Sequence, residues 1–317
     1  MNVVVGARLP EPLLAQVHDA AWPDAGVRVA QGEAALLPLM ADAEVYFAGA
    51  FTPTLLAAAT RLRWVQGSGA GVEDLLFPEF VARSDILLTN ARGAHRVAMP
   101  EYVLMAMLAW THHLPALVRA QSRSEWMHPL PDEVRGKTLG LLGYGEIGRA
   151  VAQRAAALEV RCLAYRRHPD AVEGRELVDR TYGPDQLHEF LGACDFVLNS
   201  LPLTDQTRGL IGEPELRAMR PSAVFIHLGR GPTVQSGALL AALREQWIAG
   251  AFLDVFDQEP LPPDSPFWGL DNVVVTSHSS GWSVHYLERS IGIFCDNLRR
   301  FRAGEPLRNL VDRRAGY

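Results

Sequence analysis

The sequence predicts an α/β protein made of two parallel-sheet domains, and three observations carry that prediction. Short β-branched runs alternate with longer amphipathic stretches along most of the chain, the pattern of strand and crossover helix. One series of such runs fills the middle and later chain, and a weaker series fills the first hundred residues. A last helical stretch has no strand after it, so its apolar face must cover a sheet laid down earlier.

The early series lies at residues 3–6, 45–47, 64–66 and 86–89 and predicts the smaller sheet. Pro100 then stands where a helix can begin, because a first-turn proline forfeits no hydrogen bond. The stretch Tyr102-Val103-Leu104-Met105-Ala106-Met107-Leu108-Ala109-Trp110 follows it and is apolar nearly all round, which predicts part core and part subunit interface. The later series occupies residues 138–142, 161–165, 196–199, 224–228, 250–254 and 273–276, six units that complete a doubly wound sheet. Leu287, Ile291, Phe294, Leu298 and Phe301 recur at helical spacing until Gly304, and that helix is expected to pack back on the N-terminal domain.

With 317 residues, 48% hydrophobic and 21% charged, the chain can bury two separate cores. Its formal net charge of −6 and the absence of a basic run argue against nucleic acid, whose phosphates demand a concentrated basic surface. Lys137 is the only lysine among the 30 basic residues, and it precedes a strand on the amino side, so Schiff-base chemistry is discounted. Cys162, Cys194 and Cys295 are odd in number and far apart, which predicts neither disulfides nor a metal site. The N-terminus lacks a basic leader and no segment approaches the roughly 18 apolar residues of a membrane span; the expectation is a reduced, cytoplasmic protein with no membrane partner.

Gly143-Tyr144-Gly145-Glu146-Ile147-Gly148 matches GxGxxG directly after the strand 138–142 and opens a helix expected at 149–158. In that context the glycines allow a tight turn, backbone approach to a pyrophosphate, and close packing of helix on strand. The helix N-terminus then favours negative charge. A carboxylate some 20 residues on would select NAD through the ribose 2′-OH. Here the second strand ends at Tyr165 and continues Arg166-Arg167, whose guanidinium groups suit a 2′-phosphate, so NADP(H) is favoured with NAD(H) possible.

Ligands of open parallel sheets bind outside the carboxyl ends of the strands. Three successive ends run into Gly229-Arg230-Gly231, Val255-Phe256-Asp257-Gln258-Glu259-Pro260 and Ser277-His278-Ser279-Ser280-Gly281. A ketone beside a carboxylate can accept hydride given an anchor, a proton donor and a partner for that donor. Arg230 is the anchor, His278 the acid, and the Glu259 carboxylate would hold His278 protonated and fix its ring. Each residue alone has a bland reading as an ion pair or surface group; on successive loops beside a phosphate turn they read as one site.

Gly143–Gly148, Ser200-Leu201-Pro202-Leu203-Thr204 with Thr207, Gly229-Arg230-Gly231, Asp254-Val255-Phe256 with Glu259-Pro260, and His278, in that order, resemble the D-2-hydroxyacid dehydrogenase family over nearly the whole chain. Glu259-Pro260-Leu261-Pro262-Pro263 and the ending Val311-Asp312-Arg313-Arg314-Ala315-Gly316-Tyr317 look most like its glyoxylate/hydroxypyruvate reductase A branch. The resemblance implies two Rossmann-like domains: a doubly wound dinucleotide domain, 96–284, inserted into a smaller flavodoxin-like substrate domain, 1–95 with 285–317. It implies a homodimer through the inserted domain, and NADPH-dependent reduction of a small 2-oxoacid such as glyoxylate or hydroxypyruvate. It also implies that Asp254 contacts the nicotinamide carboxamide, and that Leu201, Pro202, Thr207, Leu228, Gly229 and Gly281 line the cofactor.

Gly67-Ser68-Gly69-Ala70-Gly71-Val72 matches the substrate loop of that family. Successive free N–H groups in such a turn make a nest for an anion, so Gly69, Ala70 and Gly71 are candidates to hold a substrate carboxylate with Arg230. Departures from the family pattern are Ser277 in place of proline, the run Ser279-Ser280-Gly281-Trp282, Gln235 in place of Asp, and Pro100 in place of alanine. They bear on pocket shape, above all on whether Trp282 closes it around the substrate or only packs. A formate-type dehydrogenase ranks lower, since the resemblance implies Gln where this chain has Glu259. A non-catalytic dinucleotide sensor is disfavoured by the intact Arg230, Glu259 and His278.

Overall fold

The computed structural model describes residues 1–21, 25–313 and 316. Arg314, Ala315 and Tyr317 of the family-like ending lie outside the described residues. The chain divides into two compact units, Met1–His95 with Ser283–Tyr317, and Arg96–Trp282.

The first unit runs β1 (Asn2–Val5), α1 (Glu11–Ala21), β2 (Gly26–Val29), α2 (Glu33–Met40), β3 (Val45–Ala48), α3 (Pro53–Ala58), β4 (Trp64–Gly67), α4 (Pro78–Val81) and β5 (Leu87–Thr89). Its sheet has the order β2-β1-β3-β4-β5, parallel throughout. This is the flavodoxin-like order, with its switch point between β1 and β3. The strand β2 is additional to the expected series. It is an edge strand with no fully buried residue, so it carries no apolar run to read. By contrast Val45, Tyr46, Phe47 and Ala48 are all buried, the continuous apolar signature of a strand covered on both faces.

The second unit runs α5 (Ala98–Thr111), α6 (Leu114–Ser122), β6 (Thr138–Leu142), α7 (Glu146–Ala155), β7 (Arg161–Tyr165), β8 (Arg180–Tyr182), α8 (Leu187–Gly192), β9 (Phe196–Asn199), α9 (Glu213–Ala218), β10 (Val224–His227), α10 (Ser236–Arg244), β11 (Gly250–Leu253) and β12 (Val273–Val275). Seven parallel strands, in the order β12-β11-β10-β9-β6-β7-β8, replace the six expected. The extra one, β8, is a three-residue edge strand with Arg180 exposed. The order reverses at β6, so the crevice between the β6 and β9 ends is where a doubly wound sheet takes its ligand. On α5, Val103, Ala106 and Met107 are buried in the core while Met105 and Leu108 are exposed, a division between core and open apolar surface.

The chain returns to the first unit as α11 (Tyr286–Ala303), stopped by Gly304 in the left-handed conformation at φ +70°. Ile291, Phe294 and Leu298 close over Val3, Val5, Val45, Phe47 and Trp64. Phe294 meets Phe47 at 4.9 Å and Trp64 at 5.4 Å between ring centroids. Removing a ring so placed costs about 3–5 kcal/mol, which makes this helix an integral layer of the unit. Among the described residues no helix is long and apolar enough to cross a membrane.

Candidate active site

The turn between β6 and α7 is built for close approach. Gly143 has φ +95°, a conformation that favours glycine. A Cβ on Gly148 would stand 2.8 Å from the Gly143 carbonyl oxygen, so the helix packs on the turn only with glycine there. A Cβ on Gly145 would meet nothing within 4 Å, which leaves that side open. The helix begins at Glu146 rather than Arg149, because Gly148 falls inside its first turn, and it gives way to a tighter turn at 156–158. Among the described residues no side chain caps its N-terminus, which suits its first N–H groups to an anion.

The side chains of the turn look after themselves. Tyr144 is buried and its hydroxyl donates to the Gly174 carbonyl at 2.6 Å, while Glu146 pairs with Arg149. Arg166, just past β7, lies over the Tyr144 ring at 5.8 Å and donates to the Ala171 and Glu173 carbonyls at 3.4 and 3.3 Å. Its guanidinium is thereby held beside the glycine turn, with Arg167 exposed next to it.

Beyond β9, the Leu201 amide donates to Asn199 Oδ1 at 3.1 Å, and the Thr207 hydroxyl donates to the Pro202 carbonyl at 2.6 Å. A Cβ on Gly229 would come within 2.6 Å of the Leu201 carbonyl, and one on Gly231 within 2.1 Å of the Phe256 carbonyl oxygen. The loops after β9, β10 and β11 therefore touch backbone to backbone, and glycine is what allows it. Leu228, Gly229 and Arg230 enter from the middle loop.

His278 Nδ1 lies 2.7 Å from Glu259 Oε2, and Glu259 Oε1 accepts the Phe256 amide at 2.9 Å. The carboxylate thus holds the ring from one side and its own loop from the other, leaving Nε2 of the half-exposed imidazole for a reacting group. His278 itself is left-handed, φ +51°, a conformation that costs a non-glycine residue about 1 kcal/mol. Asp254 supports it. This residue is 1% exposed; its carbonyl accepts the His278 amide at 2.8 Å, Oδ1 accepts the Thr276 hydroxyl at 2.5 Å and the Ser279 amide at 2.9 Å, and Oδ2 accepts the Ser280 amide at 3.0 Å. Tyr102 of α5 adds a bond to Thr276 Oγ1 at 2.8 Å.

Arg230 Nη1 donates to the Gly229 carbonyl at 3.0 Å, and its own carbonyl accepts the Thr233 hydroxyl at 2.7 Å. Three residues earlier, His227 is fully buried with neither ring nitrogen hydrogen-bonded. Burial pushes its pKa down to about 4, against a smaller upward pull from the backbone at Gly231 and Asn199. Gly281 and Trp282 end the unit, and Trp282 is 63% exposed.

In the first unit, residues 69–71 follow β4. The Gly69 carbonyl accepts the Ala91 amide at 2.8 Å and the Ala70 carbonyl accepts Asn90 Nδ2 at 2.9 Å. Sequence reasoning missed Tyr102, Thr276, Asn90, Tyr286 and Ser290, which work through hydrogen bonds rather than by a motif. Ser290 did leave a signal: with Asn297 it is a polar residue on the apolar stripe of a helix. Among the described residues no group of three or more His, Cys, Asp or Glu side chains could hold a metal.

A family model described as D-isomer specific 2-hydroxyacid dehydrogenase, NAD binding domain, matches residues 104–280. A glyoxylate reductase of Korarchaeum cryptofilum is 36% identical over 263 residues, spanning 80% of this chain and 77% of that protein. Among solved structures, a D-isomer specific 2-hydroxyacid dehydrogenase of Xanthobacter autotrophicus in complex with NADPH superposes with a TM-score of 0.84 at 32% identity, covering 100% of this chain and 99% of the other. An NADPH-dependent glyoxylate/hydroxypyruvate reductase of Sinorhizobium meliloti, in complex with NADP and sulfate, reaches 0.85 at 28% identity with 100% and 99% coverage.

Proposed function

The chain belongs to the D-isomer-specific 2-hydroxyacid dehydrogenase family, and on that premise we propose that it reduces a small 2-oxoacid, such as glyoxylate or hydroxypyruvate, with NADPH. It is an NAD(P)-dependent oxidoreductase. The observation that carries the finer reading is the His278–Glu259 contact of 2.7 Å, on the sheet edge that also bears the glycine turn and Arg230.

The turn fits a dinucleotide: Gly145 is open, α7 is uncapped, and Arg166 stands beside it, suited to a 2′-phosphate. Gly143 to Gly148 would hold the pyrophosphate, with the backbone at Leu201, Pro202, Thr207, Leu228, Gly229 and Gly281 lining the rest. Asp254 Oδ2 accepts a single bond and so keeps a lone pair for the carboxamide. When bound, the nicotinamide supplies the hydride. His278 donates a proton from Nε2 to the substrate carbonyl oxygen as charge builds there, and Glu259 stabilises the imidazolium before that transfer. Arg230 anchors the carboxylate and polarises the carbonyl. The turn 69–71 enters this reading as an anion-holding element of its own unit; Trp282 is assigned to the substrate side.

The exposed apolar side chains Leu108, Leu114, Val118, Trp126 and Leu130 support a homodimer through the second unit. Cys162, Cys194 and Cys295 are free and buried, in keeping with a cytoplasmic enzyme, and burial pushes the first two thiols up to about 12. The test is absorbance at the nicotinamide band with NADPH and NADH against a panel of 2-oxoacids. Turnover of glyoxylate or hydroxypyruvate, faster with NADPH, is expected. Cofactor binding without turnover on any acid would sink the reading and favour a dinucleotide sensor.

A further inference from the structure

The turn after β4 has its carbonyls fastened one by one. The Ser68 carbonyl accepts both the Tyr286 hydroxyl, at 2.7 Å, and the Ser290 hydroxyl, at 2.8 Å. The Gly69 carbonyl takes the Ala91 amide at 2.8 Å, and the Ala70 carbonyl takes Asn90 Nδ2 at 2.9 Å. The amides of Gly69, Ala70 and Gly71 make no hydrogen bond to any described residue.

A trans peptide unit is planar, with C=O and N–H antiparallel. Fixing the direction of the Ser68 carbonyl therefore fixes the Gly69 N–H in the opposite direction, and the same holds for the next two peptide units. Three carbonyls drawn toward protein donors leave three consecutive N–H groups turned the other way, a concentration of positive partial charge suited to a carboxylate. The first peptide unit of the three is the one held twice, from α11, more than two hundred residues later in the chain. The grip is built deep: Ser290 is fully buried, and Asn297, two turns further along the same helix, reaches Gln66 Oε1 at 3.3 Å in the strand that leads into the turn.

We propose that Tyr286 and Ser290 are positioning residues for the substrate: by locking the Ser68 carbonyl they aim the amides of residues 69–71 at the carboxylate of the 2-oxoacid. This rests on the reading of that turn as a carboxylate holder. Both hydroxyls are committed to the Ser68 carbonyl, so loosening the lock weakens acid binding and leaves the chemistry and the cofactor affinity in place.

The experiment uses the full-length enzyme with NADPH, glyoxylate as substrate and oxalate as an inert acid whose dissociation constant is read by calorimetry. In Tyr286→Phe/Ser290→Ala, the KM for glyoxylate and the oxalate dissociation constant are expected to rise about tenfold, the loss of one hydrogen bond to a charged ligand. The kcat and the NADPH dissociation constant stay close to wild type, and Ser290→Thr, which keeps a hydroxyl, restores most of the loss relative to Ser290→Ala. Should the double variant fold poorly, the single variants replace it, each expected to raise KM about threefold. Unchanged KM and oxalate affinity in a folded variant would overturn the lock, as would a parallel loss of NADPH affinity. Ala70→Pro, which deletes one amide of the turn, separates the two ideas. If it raises KM while the α11 variants do not, only the lock fails; if it too leaves KM unchanged, the carboxylate reading of the turn fails.

Discussion

The hydroxyl of Thr276 donates to Oδ1 of the buried Asp254 at 2.5 Å. Through that bond, Tyr102 on α5 is connected to the carboxylate that secures the amides of Ser279 and Ser280 around His278. Burial pushes the Tyr102 hydroxyl up to about 12, so it stays neutral across the working range. Thr276→Val keeps the shape and strands both partners, at a cost of about 1–3 kcal/mol. A lower melting temperature and a reduced kcat, with little change in NADPH affinity, are expected from thermal melts and steady-state assays.

Removal of the imidazole tests the acid directly. His278→Ala should lower kcat by about 10²–10⁴ and leave NADPH affinity nearly intact, as read by fluorescence titration. Glu259→Gln keeps the shape while losing the charge, and should fall short of that full loss. A collapse of NADPH binding in His278→Ala would show that the residue acts on the cofactor instead.

Arg166→Asp should reverse the cofactor preference. Loss of a charged hydrogen bond to a 2′-phosphate is worth about 1.5–3 kcal/mol, so the ratio of NADPH to NADH efficiency should fall roughly ten- to a hundredfold. Paired kcat/KM measurements decide it, and an unchanged ratio would remove Arg166 from the site.

His227 makes stability depend on pH. Its pKa is about 4 in the folded protein against the usual 6.5, so between those values the unfolded chain binds a proton that the folded one refuses. Stability is then complete above about 6.5 and is lost as pH falls toward 4, by at most about 3 kcal/mol. Urea melts at several pH values should show this slope, and His227→Asn should flatten it.

The legible parts of this chain were those with a period or a fixed spacing. The glycines of 143–148, the stripe from Leu287 to Phe301 and the fully buried strands announce themselves because burial imposes apolar runs and close approach imposes glycine. The contact between His278 and Glu259 followed from chemistry, since successive strand ends of a parallel sheet lie side by side. The edge strands β2 and β8 were silent, being short and half-exposed. So was the bond from Tyr102 to Thr276, which joins residues 174 positions apart and leaves no periodic trace. Arg166 was suggested by charge alone, and what the fold adds is its seat over Tyr144.

The place of α11 in the first unit bears on how the protein is made. Val3, Phe47 and Trp64 are made before the second unit, yet the helix that covers them is synthesised only after the whole of it. A nascent chain therefore carries an uncovered apolar sheet face while the second unit is being made, the kind of surface that recruits chaperones. The second unit can close before the first, and the Ser68 carbonyl gains its two hydroxyl donors only when Tyr286 and Ser290 arrive.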